Sequence, residues 1–202
     1  MEANAGFANE IQTLLVADGR GFARLLRHDE ARTSSRRAPR GPRLAGFITV
    51  TWEALDHPCS ERVVAQALAF ADIRSAAFDP SAAVLIHGDA HSVNTLRDPG
   101  GEASAGQPRF KFVDPDALVA DRAYNLAIPM REWAAELLAG DALELGRRRC
   151  ALLSRLTGVD PVAIWEWGFI ERVSTGLLLL QVGAEQLGRE FLEVAERWAS
   201  HT

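Results

Sequence analysis

The sequence predicts an α+β fold that is mainly helical and carries one small embedded β-hairpin. Three observations predict it. The 202 residues are 48% apolar and 24% charged, the balance of an ordinary globular chain. From Asp141 onward, apolar residues recur at helical spacing between start and stop signals. Between Ala82 and Val113 the apolar runs are short and are broken by Asp98-Pro99-Gly100-Gly101, a turn sequence between two strands.

The elements follow in order. Ile11, Leu14 and Leu15, then Phe22, Ala23, Leu25 and Leu26, surround Asp18-Gly19-Arg20-Gly21 and read as a short helix, a turn and a strand. From Arg32 to Arg43 the chain holds five arginines with Thr33, Ser34, Ser35, Pro39, Gly41 and Pro42. No apolar periodicity survives there, which predicts a mobile linker over 31–51, between a small N-terminal piece (1–30) and a domain (52–202). Ser60 is placed to cap a helix carrying Val63, Val64, Ala67, Leu68 and Ala71 and ending before Pro80. Ala82 to Ile86 is a short apolar run, and Thr95–Arg97 pairs with Phe110–Val113 as the hairpin. Asp141 with Glu144 starts a helix that Gly158 stops. Asp160-Pro161 opens the next, which carries Ile164, Trp165, Phe169 and the leucine run, and a last helix spans roughly Ala184 to Trp198. Trp165, Trp167 and Phe169 belong to the core or to a pocket wall able to stack on a sugar.

Composition narrows the function. The 22 basic and 27 acidic side chains sum to −5, so no global positive field draws in nucleic acid or an anionic bilayer. No purely apolar run, Leu177 to Leu180 included, comes near the roughly 18 residues of a membrane span. Cys59 and Cys150 lack C-x-x-C spacing and suit reduced thiols. With Glu2 and Glu10 where a secretory signal needs positive charge, the expected location is the cytoplasm. Lys111 is the one lysine.

Between Ile86 and Asp116 stand His87, Asp89, His91, Asn94, Asp114 and Asp116. Polar groups are not crowded between apolar strands unless they are used. Asn94 follows Asp89 by five residues, and Asp114 closes the strand Phe110-Lys111-Phe112-Val113. Kinase chemistry needs this set in this order: a carboxylate that orients the acceptor hydroxyl and takes its proton, then an amide oxygen and a second carboxylate for magnesium. The same stretch also reads H-x-D-x-H, so His87, Asp89 and His91 remain an alternative metal set for a hydrolase, which would lower the pKa of a bound water.

The run Val84-Leu85-Ile86-His87-Gly88-Asp89-Ala90-His91-Ser92-Val93-Asn94, followed by Val113-Asp114-Pro115-Asp116, resembles the aminoglycoside phosphotransferases, and within them the streptomycin 6-kinase and hydroxyurea kinase branch. The resemblance covers about residues 52–200. It implies the C-terminal lobe of a protein-kinase-like fold and ATP-dependent phosphorylation of a hydroxyl on an aminoglycoside or related small molecule. Asp89 would be the catalytic base, Asn94 and Asp114 would hold Mg²⁺ and with it ATP, and His87 would tie the loop to the core.

The chain departs from that pattern in three places. Asn125-Leu126-Ala127 stands where relatives carry an acidic Asp-Leu-Ala or Asp-Leu-Gly, and Arg122 replaces an expected proline. Such kinases also pair a strand lysine with a helix glutamate beneath a glycine-rich loop. Lys111 is on the wrong strand for that, and Arg24 occupies the third glycine position after Gly19-Arg20-Gly21. Residues 1–30 therefore read as the remnant of an N-terminal lobe, with Glu10 as the partner of a missing lysine. The expected activity is impaired phosphotransfer, the alternative an inactive remnant of the fold.

Overall fold

The computed structural model describes residues 40–102, 108–116 and 118–199. The helix, turn and strand expected around residues 11–26, Glu10, and the first part of the expected linker lie outside these residues. The chain divides into two compact units, one formed by Pro39–Ser81 with Asp121–Thr202, the other by Met1–Ala38 with Ala82–Ala120.

The first unit is helical. Helix α1, Gly41–Ala54, starts with a proline in its first turn, where the missing N–H costs nothing. The linker expected over 31–51 is corrected here, because from Gly41 the chain is helix rather than linker. Leu44, Ile48, Thr51 and Leu55 recur on one face, and Ile48 is fully buried. The Arg, Pro and Gly content conceals that stripe. Helix α2, Glu61–Ala76, is capped by Ser60, whose Oγ accepts from Val63 N, as its sequence predicts. Ser60 N and Oγ also donate to the two carboxylate oxygens of Glu196, at 2.6 and 2.8 Å.

After Asp121 five helices follow: α3 (Arg122–Arg131), α4 (Ala134–Leu138), α5 (Ala142–Thr157), α6 (Pro161–Gln181) and α7 (Glu185–Ala199). Asp121, Asp141 and Asp160 each accept a backbone N–H in the first turn of the helix they precede. Gly158 ends α5 with φ +71°, a left-handed cap that glycine adopts at little cost. The expected helix starts at Asp141 and Asp160 and the stop at Gly158 are thus found. Helix α6 is the hub, packing against α2, α3, α5 and α7 and burying Ile164, Trp167, Phe169, Ile170, Val173 and Leu177. Trp167 and Phe169 are core.

Arg172 is wholly buried in the same helix. Its guanidinium donates to Met130 O at 2.8 Å and lies over the rings of Trp198 and Phe191. Burial lowers its pKa to about 9, so the side chain stays charged at neutral pH. Beside it, Tyr124 donates to Glu171, whose other oxygen receives Arg131 Nη1 at 2.8 Å. Buried charges persist only with such partners.

The second unit, described over 82–120 apart from the gaps above, holds two small antiparallel sheets. Strand β1 (Val84–Ile86) pairs with β4 (Leu118–Ala120), Val84 opposite Ala120. Strands β2 (Thr95–Glu102) and β3 (Pro108–Phe112) form the expected hairpin, with Thr95 opposite Phe112 and Arg97 opposite Phe110. Its turn is not Asp98-Pro99-Gly100-Gly101. Strand β2 continues through a register shift to Glu102, which pairs with Pro108. Pro99 has no N–H for a ladder, so the strand passes it as an irregularity instead of reversing. The architecture is α+β and mainly helical, and no helix among the described residues is long and apolar enough to cross a membrane.

Candidate functional site

The polar residues singled out by the sequence sit on the loop from β1 to β2 and at the end of β3. His87, 2% exposed, turns the chain off β1. Its Nδ1 accepts from Asp89 N at 3.2 Å, which leaves Nε2–H to donate to Val113 O at 3.0 Å. Burial lowers its pKa below the usual 6.5, with the Val113 bond opposing, so the ring is neutral and its tautomer set. Gly88 follows with φ +85°. A Cβ there would lie 2.7 Å from Leu118 Cδ1 and 2.9 Å from Asp116 Cβ, so both conformation and space require glycine.

Asp89 is partly exposed and is approached from two sides. His91 Nε2 lies 3.2 Å from its Oδ2. Asn94 Nδ2 donates to the Asp89 carbonyl at 3.0 Å and is 3.4 Å from Oδ2. His91 also accepts from Val93 N and so caps the single 3₁₀ turn Ser92–Asn94, which presents Asn94. Both bonds of the buried Asn94 side chain use Nδ2, which leaves its Oδ1 unused by them.

Asp114 arrives by another route. Val113 N donates to Asn94 O at 2.9 Å while Val113 O accepts from His87. The residue before Asp114 is therefore clasped on both backbone groups by the loop bearing Asp89 and Asn94. Asp114 itself has φ +54°, a left-handed conformation that Asp tolerates better than most residues. Its exposed carboxylate makes no hydrogen bond or ion pair among the described residues. Thus the structure joins Asp89 directly to Asn94, and joins Asp114 to them through the Val113 backbone.

The H-x-D-x-H set is not formed. Both ring nitrogens of His87 are engaged within the fold, and among the described residues no group of three or more His, Cys, Asp or Glu side chains is placed to hold a metal ion. The positive φ of Gly88 breaks the strand alternation that would have aimed the three residues to one face. Asn94 Oδ1 and the Asp114 carboxylate are oxygen donors, the kind that hard cations take. Lys111 Nζ lies 3.6 Å from Asp98 Oδ2 across the hairpin. Sequence reasoning missed the Val113 clasp, which no side chain advertises, and the Asp98 partner. The fit of Gly88 was signalled only by the His-Gly-Asp order. Asn125, where an acidic residue was expected, lies in α3, and the capping Asp121 accepts from Trp167 Nε1 at 3.3 Å.

No family model, curated protein or solved structure matches the chain.

Proposed function

We propose that these residues are the phosphoryl-transfer site of an ATP-dependent O-phosphotransferase acting on a small hydroxyl-bearing molecule of the aminoglycoside type, in the C-terminal lobe of a protein-kinase-like fold. The observation that carries the reading is the double tie around Asn94, whose side chain holds Asp89 while its carbonyl holds the strand that ends at Asp114. In that arrangement Asp89 accepts the proton of the substrate hydroxyl as it attacks the terminal phosphoryl group. Asn94 keeps the carboxylate oriented. Asn94 Oδ1 and Asp114 would hold Mg²⁺, which when bound with ATP neutralises charge on its phosphates. His87, neutral and locked to Val113, keeps base and metal ligands in register.

Lys111 is engaged by Asp98 on the hairpin, so the phosphate contact that such enzymes take from a strand lysine falls to another group. Slow turnover by these 202 residues is the expected consequence. The test is nucleotide binding and coupled ADP release with Mg-ATP and streptomycin. Asp89→Asn should retain Mg-ATP binding and abolish what turnover there is, whereas Asp114→Ala should weaken Mg-ATP binding by about tenfold or more. Equal effects of the two substitutions on nucleotide affinity would overturn the assigned roles. Mg-ATP binding without turnover would identify a non-catalytic member of the same fold.

A further inference from the structure

The helical unit contains a cavity of about 380 Å³ that the phosphotransferase reading does not use, within the range of small-molecule sites. Helices α2, α5, α6 and α7 line it, and it opens to solvent. Its walls are largely apolar and include the aromatic Phe70, Trp165 and Trp198, and the two indoles lie against one another with centroids 4.6 Å apart. Three further lining residues, Arg147, Cys150 and Glu166, decide what kind of ligand it suits.

Glu166 is 94% buried, and its Oε2 lies 2.6 Å from Arg74 Nε. Arg74 is thus its ion-pair partner, and burial raises the carboxyl pKa against that pairing, so little negative charge is left to oppose an anionic ligand. Cys150 gives its S–H to Pro161 O at 3.1 Å, and burial pushes its pKa up to about 11, so the thiol contributes no charge. Arg147 is exposed at the cavity and has no ion-pair or hydrogen-bond partner among the described residues. The indole N–H of Trp165, a half-buried residue of the same lining, likewise has no acceptor among the described residues, whereas that of Trp198 is taken by Ala142 O. The donors left unmatched at the cavity are therefore Arg147, with its charge, and the Trp165 indole N–H, set against apolar walls.

We propose that this cavity binds a small monocarboxylate with an aromatic or bulky apolar body, its carboxylate at Arg147 and its body against Trp165, Trp198 and Phe70. Arg147 supplies a forked donor that a carboxylate matches in shape as well as charge. A cation would meet Arg147 without relief, because Arg74 already answers Glu166. A phosphate-rich ligand would leave its second charge unmatched. This site lies wholly within the helical unit and does not rest on the assignment of Asp89, Asn94 and Asp114.

Calorimetric titration of the whole chain with 1-naphthoate tests it, with 1-naphthamide as the neutral analogue and 1-naphthylmethylammonium as the cationic one. Saturable one-to-one binding of 1-naphthoate below about 1 mM is expected, with the amide and the ammonium each weaker by about tenfold or more. Arg147→Ala should weaken 1-naphthoate by about the same factor and leave 1-naphthamide unchanged. Ala151→Phe, which fills the cavity from α5, should abolish binding of both. The three-ligand comparison on the unaltered protein needs no variant to fold. Tighter binding of the ammonium than of the carboxylate, equal 1-naphthoate affinity in Arg147→Ala, or no saturable binding of 1-naphthoate would each overturn the proposal.

Discussion

His87 spends both ring nitrogens inside the fold, and stability at acid pH should depend on it. Its folded pKa lies below 6.5, so as pH falls through 6.5 the unfolded chain takes up a proton that the folded chain refuses. The stability this residue contributes is complete above 6.5 and is lost as pH drops toward its folded pKa. His87→Gln removes the titrating group. The fall in urea midpoint between pH 7.5 and 5.5 should be smaller in this variant than in the parent, and an identical fall in both would show that His87 is not held neutral. At this scale the sequence was informative where side chains do the work. The spacing of Asp89 and Asn94 announced a pair, and the pair is hydrogen-bonded. It said nothing of Val113, whose part is played by its peptide groups, nor of the left-handed backbone at Asp114, which follows from how β3 leaves the hairpin.

Helices α3 and α6 approach closely at Gly168, where a Cβ would come within 2.7 Å of Met130 Cβ. Met130 Cβ is fixed to its own backbone and cannot swing aside, so Gly168→Ala should cost about 1–3 kcal/mol. Gly46, on the exposed side of α1, has nothing within 4 Å of its Cβ position. There Gly46→Ala should stabilise by about 0.5–1 kcal/mol, because alanine loses less backbone freedom in a helix. Urea midpoints at unchanged slope measure both. A neutral Gly46→Ala would speak against a helix at 41–54. Elements were legible where their signals are local, as the caps at Ser60, Asp141 and Asp160 and the stop at Gly158 show. They were illegible where the signal is remote or masked. Val84–Ile86 finds its partner more than thirty residues later, at Leu118–Ala120. The face of α1 is hidden among Arg40, Pro42 and Arg43, and Pro129 sits inside α3, where it argues against a helix.

Across the whole chain the two units differ in what holds them. The helical unit buries a continuous apolar core centred on α6. Within 82–120, the buried apolar side chains among the described residues are Ile86, Pro115 and Ala120, and among those residues order rests on short ladders and the His87, Asn94 and Val113 bonds. Such a unit should open on its own, well below the global unfolding free energy. In native-state hydrogen exchange under increasing urea, amides of β1 to β3 should exchange through an opening with little urea dependence, while those of α6 should exchange only with global unfolding. A single isotherm for both would refute this. Which segments share a unit was not legible in the sequence, because the helical unit is interrupted by the other. That interruption has a consequence during synthesis on the ribosome. Residues 82–120 can close their ladders as soon as Ala120 has emerged, but α1 and α2 leave the exit tunnel long before α6, on which they pack, has been made. Throughout that interval α1 and α2 have only each other to pack on, so the part of their apolar faces destined for α6, Phe70 with its ring against Phe169 included, offers a chaperone a target while the ladders of 82–120 are already closed.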